Sequence, residues 1–201
     1  MRLAMRIRFH PTLAAIAALA CMPLAALAHA GHGDIAGLGD GIVHVTSGVD
    51  HMLAAIAVGI WSMAYPWRRA WLLPVAFVAA MTVAAWAGLG RAKFDATELM
   101  IVASLVVLGT MIMRANAFTV TGAVAICIVF GAFHGYAHGT EAGASGNFNA
   151  YLGGIAIATA LLQLAGMGLG LMLRIASRYG LRVAGALIAA AGVWFAVGLV
   201  G

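Results

Sequence analysis

A chain of 201 residues that is 64% hydrophobic and only 8% charged has apolar runs too long and too many for one water-soluble core, which marks it as an integral membrane protein. Its formal net charge of +5 invites a polyanionic partner, but no basic patch with interleaved aromatics accompanies that charge, so nucleic-acid binding is excluded. Cys21 and Cys127 supply neither a disulfide framework nor a cysteine-based metal motif.

The chain opens with Arg2, Arg6 and Arg8, a short apolar core and then Ala26-Leu27-Ala28, the pattern of a secretory signal peptide with an A-x-A cleavage site. Residues 1–28 are therefore read as a leader and residues 29–201 as a single membrane domain. Cleavage after Ala28 leaves His29 as the new N-terminus, and Ala28-His29-Ala30 offers a second cut two residues later. The competing reading, an uncleaved first membrane helix, is weakened by Pro11 and Pro23 in a segment already short for a span. Loss of the leader removes three arginines and leaves eight basic against six acidic residues, a net charge of +2.

Six apolar segments follow, at about residues 43–64, 70–89, 97–113, 117–138, 149–173 and 182–200, most of them near the ~20 residues a membrane helix needs. Regular period-2 alternation is absent, so an all-α bundle of six transmembrane helices is expected rather than a barrel. The connections YPWRR, GLGRAKFDATE, RAN, GTEAGASGN and RIASRYGLR leave no room for a second domain. A cleaved leader places the mature N-terminus outside, and six spans return the C-terminus to that side. The inner loops then carry Arg68, Arg69, Arg114, Arg174, Arg178 and Arg182, six of the eight remaining basic residues, as the positive-inside rule asks. The expected location is the bacterial inner membrane with both termini in the periplasm.

The acids distribute the other way: Asp34, Asp40, Asp50, Asp95, Glu98 and Glu141 all fall in or near the outer half, where they would concentrate cations. Asp95 and Glu98, beside Arg91 and Lys93, read equally well as a solvated loop. Gly131, Gly135 and Gly139 recur every four residues in the fourth span, and Gly166, Gly168 and Gly170 cluster in the fifth. Such spacing lets another helix approach closely. The eleven methionines share no motif and read as flexible packing.

Two polar clusters interrupt this apolar background. In the first span, HVTSGVDH carries His44, Asp50 and His51. At about 100° per residue two turns bring His44 and His51 to one face of a regular helix, while Asp50 is displaced by about 100°. Either Gly48 marks an irregular turn that brings Asp50 in, or Asp50 orients an imidazole from behind. In the fourth span, FHGYAHGTE carries His134, His138 and Glu141. His134 and His138 lie four residues apart, about 6 Å along the axis, which suits two imidazoles on one ion. Glu141 is about 10.5 Å from His134 along the helix, so it joins them only if the helix ends or bends near Gly139. The first span runs inward and the fourth outward, which brings both clusters to one membrane face. Intramembrane ionisable groups are costly and mark ion or substrate paths. Imidazole with carboxylate suits borderline divalent ions such as nickel, cobalt or zinc, not magnesium, calcium or copper(I).

With these motifs the chain resembles the HupE/UreJ proteins, a family of nickel permeases associated with hydrogenase and urease maturation. The first-helix motif of that family, His-Pro-x-x-Gly-x-Asp-His, is matched by His44, Gly48, Asp50 and His51, with Val45 in place of proline. Its His-Ala-x-x-His-Gly-x-Glu pattern is matched by His134, His138, Gly139 and Glu141, with Gly135 in place of alanine. The resemblance covers essentially the whole chain. It implies uptake of nickel, or alternatively cobalt, as cargo, with no prosthetic group, and recognition by His44, Asp50, His51, His134, His138 and Glu141. Partners expected are the divalent ion and the bilayer, with a second copy of the chain and downstream nickel chaperones as candidates.

His29 and His32 would begin the mature chain as His-Ala-Gly-His, a mobile end able to collect metal and pass it on. Replacing both should weaken uptake at scarce metal only, and unchanged uptake under scarcity removes the idea. A secondary transporter is expected, since no G-x-x-x-x-G-K-[ST] motif occurs for direct use of ATP. The alternatives are an intramembrane metal-dependent hydrolase, opposed by the absence of H-E-x-x-H, and a metal sensor or assembly subunit. Ion flux into liposomes separates the three.

Overall fold

The computed structural model describes residues 37–93, 96–114, 118–142 and 146–200. The leader, its cleavage sites, His29, His32, Asp34 and Asp95 lie outside the described residues. All regular structure among the described residues is α-helical: α1 (Leu38–Ser47), α2 (Val49–Ser62), α3 (Trp67–Ala70), α4 (Leu72–Gly88), α5 (Ala96–Met113), α6 (Val120–Glu141), α7 (Phe148–Ala176) and α8 (Gly180–Val200). Among the described residues, five helical segments are long and apolar enough to cross a membrane, or six where the bent pair α1–α2 counts as one span. This is an all-α, multi-pass membrane architecture. Large apolar side chains such as Val83, Ile175 and Trp194 point outward, as a lipid-facing surface requires.

Local chemistry sets the ends of these helices. Thr119 Oγ1 accepts the Gly122 N–H at 3.2 Å to start α6, and Asn147 Oδ1 accepts the Ala150 N–H at 3.1 Å to start α7. Helix α1 begins where the Gly37 N–H donates to Asp40 Oδ2 at 2.9 Å. The YPWRR connection is not a plain loop, because Trp67–Ala70 makes one helical turn after Pro66 before the chain enters α4.

The first span, expected at about 43–64, is not one regular helix. It starts at Leu38 and breaks at Gly48, where the axis turns by 85° between α1 and α2. Gly48 is extended, with φ −78° and ψ 99°. Hydroxyls next to the break compete with the backbone ladder: Thr46 Oγ1 donates to the Ile42 carbonyl at 2.9 Å and Ser47 Oγ to that of His44 at 3.2 Å. On the far side Asp50 Oδ1 accepts the His51 N–H at 2.9 Å.

Glycine seams join the helices in pairs. A Cβ on Gly135 or Gly139 would collide with the carbonyls of Met81 or Ala85, and one on Gly131 would sit 2.5 Å from the Phe77 carbonyl. The three contacts advance together along both chains, so α4 and α6 run parallel with their backbones touching. On the other side, Gly41 and Gly154 bring α1 against α7, while Gly59, Gly166 and Gly170 bring α2 against α7. Gly109 and Gly185 do the same for α5 and α8, which run antiparallel. Apolar lipid gives helices no hydrophobic reason to associate, so close backbone approach of this kind supplies the attraction. Of the fifth-span glycines, Gly168 takes no part and meets nothing within 4 Å.

Candidate metal centre

The break at Gly48 gives the two first-span histidines separate platforms. His44 stands on the last turns of α1, and His51 on the first turn of α2. Their rings still meet edge to face, with centroids 6.1 Å apart. Asp50 lies beside His51, its Oδ1 2.9 Å from His51 Nδ1. A carboxylate accepts, so Nδ1 carries a proton, and in the neutral ring Nε2 offers its lone pair. That Nε2 is buried and finds no hydrogen-bond partner among the described residues. For Asp50 the irregular turn and the orienting role, which the sequence leaves as alternatives, occur together.

Helix α6 delivers the second cluster. His134 Nδ1 lies 2.9 Å from the Phe130 carbonyl, which only accepts, so this ring too holds its proton on Nδ1 and leaves Nε2 bare. His134 Nε2 and His138 Nδ1 are both buried without a partner among the described residues. Helix α6 stays regular through Glu141 rather than ending near Gly139. Glu141 nevertheless joins a group, because the bend at Gly48 carries His44 to it: Glu141 Oε2 is 3.2 Å from His44 Nε2.

The grouping therefore differs from helical arithmetic. One ligand atom each from His44, His138 and Glu141 lie within 4.8 Å of one another, and His134 sits one turn further along α6. The imidazoles form a continuous file, with centroid separations of 5.0 Å for His44–His138, 4.6 Å for His51–His138 and 5.1 Å for His51–His134. Phe77 closes the far end at 5.3 Å from His134, and Tyr151 flanks His44 at 5.8 Å. The file combines bare nitrogens with two carboxylates, a donor set for borderline divalent cations.

Two neighbours of this file are not legible as such in the sequence. Tyr151 is 1% exposed, and its hydroxyl has no partner among the described residues. Lys93 reads in the sequence as part of a solvated loop, yet its Nζ lies 2.5 Å from Glu98 Oε1 and 3.6 Å from Glu141 Oε1. Partial burial pulls the Lys93 ammonium down, but the hydrogen bond to Glu98 and the charges of Glu141 and Glu98 outweigh it and hold the group above its ordinary value. A permanent cation thus borders the carboxylate of the group. Tyr136 secures this loop on α6 by donating its hydroxyl to the Ala92 carbonyl at 3.3 Å.

A family model described as HupE / UreJ protein matches residues 17–195. Protein HupE of Rhizobium leguminosarum bv. viciae is 33% identical over 189 residues, which cover 93% of this chain and 96% of that protein. No solved structure matches the chain.

Proposed function

This chain belongs to the HupE/UreJ family, and on that premise we propose that it is a secondary transporter importing a borderline divalent cation, nickel or alternatively cobalt, across the inner membrane. The observation that carries the reading is the convergence of His44, His138 and Glu141 within 4.8 Å, backed by His51 and His134. Three buried ring nitrogens without a partner among the described residues, at one end of a largely apolar bundle, are costly to keep, and a passing cation is what repays that cost.

In this reading the cation arrives from the periplasmic side and exchanges water for Glu141, His44 and His138. Glu141 contributes charge, and binding competes with the ion pair from Lys93, which limits affinity and favours release. His51, with its proton fixed by Asp50, is the next acceptor, and His134 follows. Both termini lie in the periplasm, and the leader of residues 1–28 is removed.

The test is radionickel uptake by the purified protein in liposomes, with cobalt and zinc as competitors. The wild type should accumulate nickel, and His51→Ala and His138→Ala should not. Wild-type uptake by both variants would sink the site, while no flux at all with turnover of a hydrolysable substrate would favour the hydrolase.

A further inference from the structure

Past the histidines, toward the other end of the bundle, the polar groups do not stop. Helix α7 passes Tyr151 beside His44 and then carries Thr159 and Gln163, about 12 and 18 Å further along its axis. Thr159 is 2% exposed and Gln163 1%. Four residues separate the two, so they share a face, and a long helical side chain leans back toward the preceding turn, which tilts Gln163 toward Thr159.

Gln163 is the anomaly. Neither its amide nitrogen nor its amide oxygen finds a partner among the described residues, although buried amides normally bond. Two buried serines elsewhere in the bundle are satisfied at home: Ser62 donates to the Gly59 carbonyl at 2.7 Å, and Ser104 to the Ile101 carbonyl at 2.5 Å. Nor is Gln163 loosely placed, because a Cβ on Gly59 would collide with its carbonyl.

Thr159 points across the interface. Its Oγ1 lies 3.8 Å from Met81 Sδ, whereas Thr82 and Thr110 bond back to the carbonyl four residues earlier. Met81 is 1% exposed and fixed in height by Gly135, the residue after His134. Four residues before Met81 on α4, Phe77 touches the His134 ring. The partnerless Nε2 of His134 thus belongs to the same level of the bundle as a thioether, a hydroxyl and, one turn further on, an amide.

We propose that Met81, Thr159 and Gln163 form a second cation station, which receives the divalent ion from His134 and passes it toward the opposite membrane face. The proposal rests on the transport reading. Every donor in the station is neutral. A site of imidazole, thioether, hydroxyl and amide holds a borderline divalent ion weakly and offers little to magnesium or calcium, which prefer carboxylate oxygen. Descent from a carboxylate-bearing group to a neutral one lets the ion leave, as conduction requires.

The experiment uses full-length protein with Gln163→Leu and the near-isosteric Thr159→Val. Nickel binding is measured in detergent by equilibrium dialysis and radionickel uptake in liposomes. Both variants should keep the tight nickel binding of the His44–His138–Glu141 group and lose only a weaker component. Their uptake should fall about tenfold, the factor expected when a polar contact to a charged group is lost. Wild-type uptake by both, or loss of the tight binding together with uptake, overturns the station. Should Gln163→Leu fail to fold, Thr159→Val decides alone. If the wild type itself shows no nickel flux, the transport reading falls and takes the station with it; flux in the wild type and in both variants removes the station only.

Discussion

At the end of the bundle away from the histidines, Ser62 and Thr110 each donate to a carbonyl of their own helix at 2.7 Å, and Arg174 donates to the Met63 carbonyl. At the histidine end, ring nitrogens of His51, His134 and His138 are as buried as Ser62 and meet no partner among the described residues. The two regions share a backbone architecture and an apolar surround, so burial alone does not separate them. What separates them is whether a polar atom is satisfied by the fold. Ser62, Thr110 and Arg174 close their hydrogen bonds within the fold; in the transport reading the open histidine nitrogens await a passing cation.

The contrast can be broken at its strongest point first. His138→Ala removes a donor from the His44–His138–Glu141 group and should weaken nickel binding by more than the ~10–100-fold typical of outer partners. Equilibrium dialysis reads this directly. Asp50→Ala leaves His51 without the acceptor that fixes its proton, and should weaken binding by about 10–100-fold while the thermal unfolding midpoint hardly moves. An unchanged affinity would show that Asp50 serves only the turn at Gly48. Gly135→Leu forces a side chain into the Met81 backbone and should cost about 1–3 kcal/mol, read as a lower unfolding temperature in detergent. Ser62→Ala, at the satisfied end, should cost no more than about 0.5–1.5 kcal/mol and leave nickel affinity as it was. A loss of affinity there would undo the distinction between the two ends.

Much of this architecture is legible in the amino-acid sequence. Apolar runs of roughly span length announce membrane helices because lipid leaves the backbone few other options. Gly131, Gly135 and Gly139 announce a seam, since four-residue spacing of small residues puts them on one ridge. The polar clusters stand out against their background, and opposed span directions bring them to one end. The grouping within the centre is not legible. Whether Glu141 meets His44 depends on the 85° turn at Gly48, and Gly48 marks a place for a break without its angle. Lys93 and Glu141 are 48 positions apart, and their approach depends on how the loop before α5 folds back over α6. Gln163, a single amide among leucines, carries no periodicity to set it apart, and only its missing partners do so.

The seams have a mechanical consequence. Backbones that touch along three successive glycines cannot slide or twist past each other without collision, so α4 and α6 behave as one stiff beam. The same holds for α2 and α7, whose contacts at Gly59, Gly166 and Gly170 lock them into another. The candidate donors are divided between these beams: His134, His138, Glu141 and Met81 ride on one, His51, Thr159 and Gln163 on the other, and His44, on α1, is held to the second through Gly41 and Gly154 against α7. In the transport reading, tilting one beam against the other would change the separations between donors on opposite beams, the 3.2 Å between His44 and Glu141 among them.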